Sequence, residues 1–424
     1  MRKILITFMF IALSSVYSHL YSQQKLLIPM EVNTQTDHLK AYGIAYRHLL
    51  GGKELDWLLN YRGGAFMFDY SDELDSECRA KGVSFELLSG TQAAQVYAEV
   101  QDEKNNMDVV RLEKVAKIAV YVPPNALPWD DAVQLALDYV EIPYDKVWDE
   151  EVLQGKLKDY DWLHLHHEDF TGQYGKFFAA FGSSPWYIIQ KQTNEEMAKK
   201  LGFEKVSQLK LAVVKKLKEY VQSGGFMFTM CSGTTTPDIA LAVQYTDICD
   251  AMYDGDPLDP AANDKLDYSE CIAFQNFKIQ LNPYVYEYSD MDITDNEIMA
   301  GPYNDYFTLF DFSAKIDPVP SMLTQCHTAV IKGFLGQESG FKEEFVKPGI
   351  TLLAKNNGTN WVRYIHGNIG RGTFTLYGGH DPEDYQHAVG DPKTDLSLYK
   401  NSPGYRLILN NVLFPAAKKK KLKT

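Results

Sequence analysis

The segment that most constrains the fold is an amphipathic helix that leads, through two glycines, into a short apolar strand. Residues 206–221 carry apolar side chains at helical spacing, opposite a face of lysines, and these positions are Val206, Leu209, Val213, Leu217 and Val221. Gly224 and Gly225 end the helix, and residues 226–230 form the apolar run. A helix that leads into a buried strand is typical of a parallel α/β sheet, in which ligands bind beyond the carboxyl ends of the strands.

A cysteine followed by two small residues stands at the end of this strand, as Cys231-Ser232-Gly233. A thiol attacks as its thiolate, and a strand-to-helix turn exposes the sulfur and directs backbone N–H groups at a developing oxyanion. The position therefore indicates a nucleophile, with an inert buried cysteine as the alternative. The other four cysteines are widely spread and show no zinc-ribbon spacing.

Strands and helices alternate along most of the chain, which predicts an α/β protein with a mostly parallel sheet in three layers. Residues 24–113 form an N-terminal α/β lobe, in which a helix at residues 38–50 joins two strands of a parallel unit. Residues 115–415 form the main domain. Within it, the acidic and aromatic stretch at about 246–320 is interpreted as an insertion that covers the site or an edge of the sheet.

The two ends of the chain are interpreted separately. Arg2 and Lys3 precede a short apolar run and several serines, which predicts a signal peptide over residues 1–22 and a periplasmic or secreted protein. A retained N-terminal anchor is the alternative, and no other stretch approaches the roughly 20 apolar residues of a transmembrane helix. Residues 416–424 form a basic tail that is expected to be solvated.

Composition limits the classes of partner. The net charge of −14 argues against nucleic acid, because neutralising phosphates requires a basic face. The apolar fraction of 45% in 424 residues is enough to bury a large core, so the chain is expected to be globular.

A histidine follows two glycines at the end of a late strand. Residues 360–366 and 373–377 form a predicted hairpin that ends in Gly378-Gly379-His380, and acids follow, including Glu383. A histidine in this position can accept a thiol proton, while a neighbouring carboxylate fixes its tautomer. The alternative is a histidine that caps a turn.

A second group of polar residues lies at 164–169, in the segment His164-Leu165-His166-His167-Glu168-Asp169. Strand alternation places His164 and His166 on one face and His167 on the other. One interpretation is a zinc site on His164, His166 and His380. The other is a substrate-binding rim that also bonds the loop at 170–175, formed by His166, His167, Glu168 and Asp169.

The helix, the glycine pair, the strand ending at Cys231 and the late strand ending at His380 resemble the class I glutamine amidotransferase-like superfamily over residues 115–415. The resemblance implies a flavodoxin-like fold, no cofactor, Cys231 as nucleophile, His380 as base and Glu383 as orienting acid. It also makes the backbone N–H of Ser232 an oxyanion donor. The family motif at the nucleophile is Gly-x-Cys-x-Gly, and this chain has Thr229 in place of the first glycine. In the family the acid lies two residues after the histidine, whereas here one extra residue separates Glu383 from His380.

The chain also resembles secreted bacterial proteins labelled asparagine synthetase B, on residues 27–30, 56–64, 166–172 and 401–414. The N-terminal cysteine nucleophile and the Ser-Gly-Gly-x-Asp-Ser nucleotide loop of glutamine-dependent asparagine synthetases do not occur in the sequence.

These observations lead to three hypotheses of function. The first is an exported hydrolase that acts on a small-molecule amide or related carbonyl through Cys231, His380 and Glu383. The second is a noncatalytic module of the same fold that binds a ligand or a partner at the cell envelope. The third is a metal-dependent hydrolase.

Overall fold

The computed structural model describes residues 24–125 and 127–418, which form a mixed α/β protein with two β-sheets. The predicted signal peptide at 1–22 and the last six residues of the predicted basic tail lie outside the described residues. Within the described ranges, none of the helices combines the length and apolar character that crossing a bilayer requires.

The N-terminal lobe contains a five-stranded antiparallel sheet. Its strands are β1 (Lys25–Ile28), β2 (Leu55–Leu59), β3 (Ala65–Asp69), β4 (Glu86–Leu88) and β5 (Asp108–Leu112), in the order β4-β1-β3-β2-β5. Its helices are α1 (His38–Leu50), α2 (Asp72–Lys81) and α3 (Gly90–Gln101). The two strands of the predicted parallel unit, β1 and β2, run in the same direction but are not neighbours, because β3 lies between them and pairs antiparallel with both.

The main domain contains a ten-stranded sheet. Its strands are β6 (Ile118–Tyr121), β7 (Asp145–Val147), β8 (Trp162–Leu165), β9 (Phe226–Met230), β10 (Tyr306–Leu309), β11 (Val330–Lys332), β12 (Phe341–Lys342), β13 (Thr351–Asn356), β14 (Trp361–Ile369) and β15 (Gly372–Tyr377). Its helices are α4 (Ala132–Val140), α5 (Asp149–Leu153), α6 (Phe178–Phe181), α7 (Pro185–Lys200), α8 (Val206–Gln222), α9 (Thr236–Ala242), α10 (Ala251–Asp254), α11 (Thr294–Ala300), α12 (Pro318–Leu323) and α13 (Pro403–Leu413).

The large sheet is mixed rather than mostly parallel. Strands β7, β6, β8, β9 and β15 are adjacent in this order and parallel, whereas β14, β13, β10 and β11 continue the sheet with antiparallel pairs and β12 pairs with β14. The reversal occurs at the predicted hairpin, where the turn between β14 and β15 contains Gly370 at φ 58°. A short turn joins antiparallel neighbours, whereas each parallel pair requires a longer crossover.

Helices cover both faces of the parallel half. Val120 and Phe228 point into a core that includes α4, α13 and α1, and Ala119 and Leu163 point into the opposite core, which includes α8. Helix α1 lies between the two sheets and packs on α4 and α13. The two lobes consequently share one hydrophobic core.

The predicted insertion at 246–320 has two roles in the structure. Its middle part, which includes α11, covers the carboxyl edge of the parallel strands, where Tyr286 and Thr294 line a cavity. Its last part contributes β10, which pairs with β11 and β13 inside the large sheet. The stretch is thus partly a cover and partly a strand of the sheet itself.

Candidate functional site

Three adjacent parallel strands end at the same edge of the sheet and deliver the polar residues singled out from the sequence. β9 lies between β8 and β15. The N–H of Cys231 donates to the carbonyl oxygen of Gly379 at 3.0 Å, and the N–H of Gly233 donates to that of His166 at 2.8 Å. These bonds connect the turn after β9 to the segments that follow β15 and β8.

A cavity of about 470 Å³ opens at this edge. Its polar lining includes Cys231, Ser232, His167, His380, His387 and Gln337, and much of the remaining wall is aromatic. Four of the predicted site residues, Cys231, Ser232, His167 and His380, therefore meet at one cavity although they come from three separate parts of the sequence.

The turn after β9 has the backbone of a strained elbow. Cys231 has φ 48°, which is uncommon for a residue other than glycine. Strain of this kind clusters at functional sites. A Cβ on Gly233 would lie 3.0 Å from the backbone of Leu165, so a small residue is needed there. The next helix begins only at Thr236, after a 3₁₀ turn at Cys231–Gly233.

The thiol of Cys231 is buried and held by its neighbour. Cys231 is 3% exposed, and its Sγ donates to Ser232 Oγ at 3.6 Å. Burial raises the pKa of the Cys231 thiol, and this effect outweighs the hydroxyl and backbone N–H of Ser232, which lower it. The Ser232 N–H thus acts on the sulfur itself and favours its thiolate form, and its role as an oxyanion donor stays a prediction.

The predicted partners of Cys231 are not joined into a hydrogen-bonded triad. Within the described residues, neither ring nitrogen of His380 has a geometrically defined hydrogen-bond partner. Glu383, which follows His380 with one extra residue, bonds Ser402 at the start of α13. Burial raises the pKa of the Glu383 carboxyl, and this hydrogen bond opposes the rise. Glu383 therefore does not orient the His380 ring in this arrangement.

Four histidine rings cluster beside the cavity. Ring centroids lie 3.9 Å apart for His166 and His167, 5.0 Å for His167 and His380, and 4.6 Å for His380 and His387. One ring nitrogen from each of His166, His167 and His380 lies within 4.8 Å of the others. The prediction that His167 faces away is wrong, because β8 ends at Leu165 and strand alternation stops there.

His164 remains on the strand and belongs to a different group. Its Nδ1 bonds the carbonyl oxygen of Phe228 at 3.1 Å, and its Nε2 lies 3.4 Å from Asp131 Oδ1. A second possible ion site consists of Asp131, His164 and His166. None of these three residues lines the cavity, and only His166 also belongs to the histidine cluster beside it. The predicted set of His164, His166 and His380 is therefore split between two groups.

Two histidines of the cluster, His166 and His167, each have one ring nitrogen close to an oxygen atom of the segment at 130–131. His166 Nδ1 lies 3.2 Å from Asp131 Oδ1, and His167 Nε2 donates to the carbonyl oxygen of Asp130 at 2.8 Å. These contacts leave Nε2 of His166 and Nδ1 of His167 for another ligand. Burial lowers the pKa of both imidazoles and so favours the neutral form of each ring.

Asp131 is held ionised behind this cluster. Burial opposes its ionisation, but His164 and His166 outweigh burial and hold the pKa of the carboxyl well below its usual range. Its Oδ1 also accepts from the N–H of Val133 at 2.8 Å and caps α4. The helix start thus fixes the carboxylate that faces His166.

The other two predicted rim residues lie outside the cavity lining. Glu168 is buried beside Lys210, whose ammonium lies 3.4 Å from Glu168 Oε2. Asp169 accepts from the N–H of Thr171 at 2.6 Å and from the N–H of Gly175 at 2.9 Å. Asp169 therefore organises the loop, as the sequence suggested, and neither carboxylate contacts the cavity.

Several residues at the site were not predicted from the sequence. Trp129 lies in a bend and Lys176 in a short 3₁₀ turn, and neither has a local pattern that indicates a site. Asp131 carries one detectable signal, since an aspartate directly before an apolar helix is typical of an N-cap. That signal predicts a capping role and gives no indication of His166.

Comparison with known proteins yields distant structural neighbours. No family model matches the sequence, and no curated protein matches it either. A cytoplasmic protein from Salmonella typhimurium is similar with 13% identity and a TM-score of 0.35, over 72% of this chain and 100% of that chain. Another, from Salmonella typhimurium LT2, has 11% identity and a TM-score of 0.34, over 71% and 99%. Because both TM-scores lie below 0.5, neither similarity supports an inference about function.

Proposed function

We propose that this protein is a metal-dependent hydrolase of a small-molecule amide or related carbonyl compound, with zinc bound by His166, His167 and His380. The observation that carries the proposal is the approach of three buried ring nitrogens to within 4.8 Å of one another. The rings of His167 and His380 also line the cavity, so a bound ion would be accessible to a substrate.

The chemistry of the donors supports zinc. Neutral imidazole is a preferred zinc ligand, and a metal-bound histidine usually donates its other N–H to a carboxylate or carbonyl. The Asp130 carbonyl meets that requirement for His167, and Asp131 Oδ1 lies 3.2 Å from His166 Nδ1 without a hydrogen bond between them. Held by these three histidines, zinc would have room for a water as fourth ligand and would lower the pKa of that water to about 7. The cavity gives a carbonyl substrate access to that position.

Metal analysis of untagged protein tests the proposal. We expect about one zinc or cobalt per chain after equilibration and dialysis, and cobalt should give the visible absorption of a tetrahedral site. His167→Ala should abolish stoichiometric binding, and Asp131→Asn should weaken it by about 10–100-fold. His48→Ala, on α1 away from the site, is the matched control. Wild-type protein that binds no metal at micromolar concentration would contradict the proposal.

A panel of chromogenic anilides and esters tests the reaction. Hydrolysis should disappear after chelation, return on addition of zinc, and remain absent in His167→Ala. Metal binding without hydrolysis of any carbonyl substrate would favour the noncatalytic alternative, a module that binds a ligand or a partner at the cell envelope.

A cysteine hydrolase is the second candidate, and the left-handed φ of Cys231 favours it. In that case His380 would act as the base, and iodoacetamide should label Cys231 selectively at mildly acidic pH. The metal-dependent proposal instead expects slow labelling that accelerates with rising pH, because burial raises the pKa of the thiol. Mass spectrometry of the labelled peptide distinguishes the two, and retention of hydrolysis in Cys231→Ala would exclude the cysteine mechanism.

A flavodoxin-like, class I glutamine amidotransferase-like fold is also part of the proposal. Numbered along the chain, the parallel strands lie in the order 2-1-3-4-5, which is the flavodoxin-like order. The elbow at Cys231 supports the same family, and the relationship to secreted proteins labelled asparagine synthetase B remains a proposal based on sequence segments. An experimental structure with a TM-score above 0.5 to that superfamily would test it.

We further propose that the protein is exported, on the pattern of residues 1–22. Cell fractionation and mass spectrometry of the mature N-terminus test this, with cleavage expected near Gln23. Recovery of uncleaved protein in the cytoplasm would contradict export.

A further inference from the structure

Lys176 is a buried cation in the cavity wall. Its residue is 3% exposed, and its ammonium donates to the carbonyl oxygens of Gln280 and Glu287, both at 2.9 Å. Within residues 24–125 and 127–418, no ion pair involves this ammonium, so neutral carbonyls are its direct partners. An ammonium has three N–H donors. One donor thus remains beside the cavity, and the carboxylates of Asp169, Glu287 and Glu338 act on the ammonium only without direct contact.

Backbone strain holds Lys176 in this position. Tyr174, Gly175 and Lys176 have φ values of 51°, 75° and 55°, so two residues with side chains adopt the left-handed conformation. Such residues cost of order 1–3 kcal/mol each, persist where their surroundings enforce them and cluster at ligand sites. A Cβ on Gly175 would lie 2.2 Å from the ring of Phe177, and Asp169 Oδ2 accepts from the Gly175 N–H. The turn is thus built to place Lys176 where it lies.

An aromatic wall, formed by Trp129, Phe177 and Tyr286, lines the same cavity as Lys176. The ring centroids of Trp129 and Phe177 are 5.1 Å apart, and those of Phe177 and Tyr286 are 5.8 Å apart. Gln337 connects this wall to the strained turn, because its Nε2 donates to the carbonyl oxygens of Tyr286 at 2.8 Å and Gly175 at 3.2 Å. A ligand held by Lys176 would therefore lie against aromatic surface.

We propose that Lys176 binds a carboxylate of the substrate and that the aromatic wall holds an apolar or aromatic group attached to that carboxylate. For the reaction, this inference rests on the hydrolytic site proposed above. One ammonium matches a monoanion, whereas a phosphate dianion would leave a charge unpaired in a largely apolar cavity. The substrate class is accordingly an amide or related carbonyl compound with a single carboxylate, such as an N-acyl amino acid with an apolar side chain.

Binding of phenylacetate and of its neutral isostere phenylacetamide tests the proposal. The full chain is used after removal of metal, so that the carboxylate has no metal to coordinate, and the fluorescence of Trp129 in the cavity wall reports occupancy. At pH 7 the carboxylate should bind at least about tenfold more tightly than the amide. Lys176→Gln should remove this preference. Lys191→Gln is the matched control, because Lys191 lies over the Tyr174 ring but does not line the cavity.

Raising the pH of the wild-type protein gives a second test that requires no variant. Burial lowers the pKa of Lys176 to about 8 and outweighs Asp169, Glu287 and Glu338, which raise it. The preference for phenylacetate should therefore be lost by pH 9.5. Burial raises the pKa of Glu287 to about 7, so its ionisation could weaken anion binding too. Glu287→Gln removes this effect. The variant should still lose its preference for phenylacetate over phenylacetamide between pH 7 and pH 9.5.

Equal binding of the two ligands at pH 7, or a preference that survives at pH 9.5, would overturn the carboxylate site. So would a preference that persists in folded Lys176→Gln. Because these measurements use metal-free protein, they are independent of zinc binding. Loss of the carboxylate preference with normal zinc binding would overturn this inference alone, and the reverse result would overturn the metal proposal alone.

Discussion

Lys210 shows how a single buried charge depends on its partners. It is fully buried in α8, and its ammonium lies 3.1 Å from both carboxylate oxygens of Asp149 and 3.4 Å from Glu168 Oε2. Lys210→Met removes the cation and leaves two buried carboxylates without it. We expect a loss of about 3–5 kcal/mol in the free energy of unfolding, measured by urea denaturation.

A lysine of the same helix is the control for that substitution. Lys216 pairs with Glu219 at 2.6 Å on the surface, where both side chains are exposed. Exposed pairs contribute little, so Lys216→Met should leave the denaturation midpoint nearly unchanged. Similar losses for both variants would show that helix propensity, rather than the buried charge cluster, determines the effect.

His366 gives a pH dependence with a defined sign. Burial lowers the pKa of His366 to about 4, and the ring contacts Thr375 Oγ1 at 3.0 Å. As the pH falls below 6.5, His366 takes up a proton in the unfolded chain but not yet in the folded chain. The stability that the neutral ring contributes is therefore complete above pH 6.5 and is lost as the pH falls toward 4. At pH 5 the loss is about 2 kcal/mol relative to pH 8.

The measurement is the difference in unfolding free energy between wild type and His366→Gln. This difference isolates one group from the other buried histidines and carboxyls that titrate in the same range. It should decrease by about 2 kcal/mol between pH 8 and pH 5, because the variant has no imidazole to protonate. A difference that is constant with pH would mean that the imidazole titrates equally in the folded and unfolded chains.

At the scale of elements, α1 and α4 approach closely at a glycine. A Cβ on Gly43 would lie 2.3 Å from the carbonyl oxygen of Val140. Replacing a glycine inside a helix by alanine normally stabilises it by roughly 0.5–1 kcal/mol. Here we expect Gly43→Ala to destabilise the protein by about 1–3 kcal/mol, since the two helices must separate. Thermal unfolding measures the change.

The same helix supplies the control. Gly51, at its end, has φ −73°, and an added Cβ would meet nothing closer than 3.4 Å. Gly51→Ala should change stability by less than about 0.5 kcal/mol. An increase in stability from Gly43→Ala would show that the helices adjust to the added methyl group without strain.

Local patterns predict individual elements better than their pairing. The helix expected at 206–221 is observed as Val206–Gln222, and the expected hairpin is observed as β14 and β15. The pairing of β3 between β1 and β2 depends on distant contacts that no local period encodes. That is why the first elements of the N-terminal lobe, from β1 to β3, could be predicted, while β4, β5 and the antiparallel pairing of the sheet could not.

The same distinction between local patterns and distant contacts applies to the site. The shared edge for Cys231, His380 and the histidines after β8 could be predicted, because parallel neighbours end together. The side-chain arrangement could not, since the place where β8 ends decides whether His167 faces His380. Lys176 depends on a left-handed turn held by Asp169 and Gln337, which come from distant parts of the chain.

At the scale of the molecule, the N-terminal lobe depends on contacts from the end of the chain. Arg406 of α13 is fully buried, and it donates to Tyr42 Oη at 3.0 Å and to the carbonyl oxygen of Met30 at 3.2 Å. After α13, Ala417 bridges to Leu112 at the end of β5. The first and last parts of the described chain therefore form one packed unit.

This arrangement predicts a single cooperative unfolding transition for the whole chain. Separating the lobes would expose α1, which packs against β2 of the small sheet and against α4 and α13, and would leave the buried Arg406 without its partners. Calorimetry should give equal calorimetric and van't Hoff enthalpies, and a fragment of residues 24–113 should show no cooperative transition. Truncation after residue 416 removes the contact with Leu112, so it should lower the transition temperature without dividing the transition. Two resolved transitions in the full chain, or a folded 24–113 fragment, would mean that the lobes are independent domains.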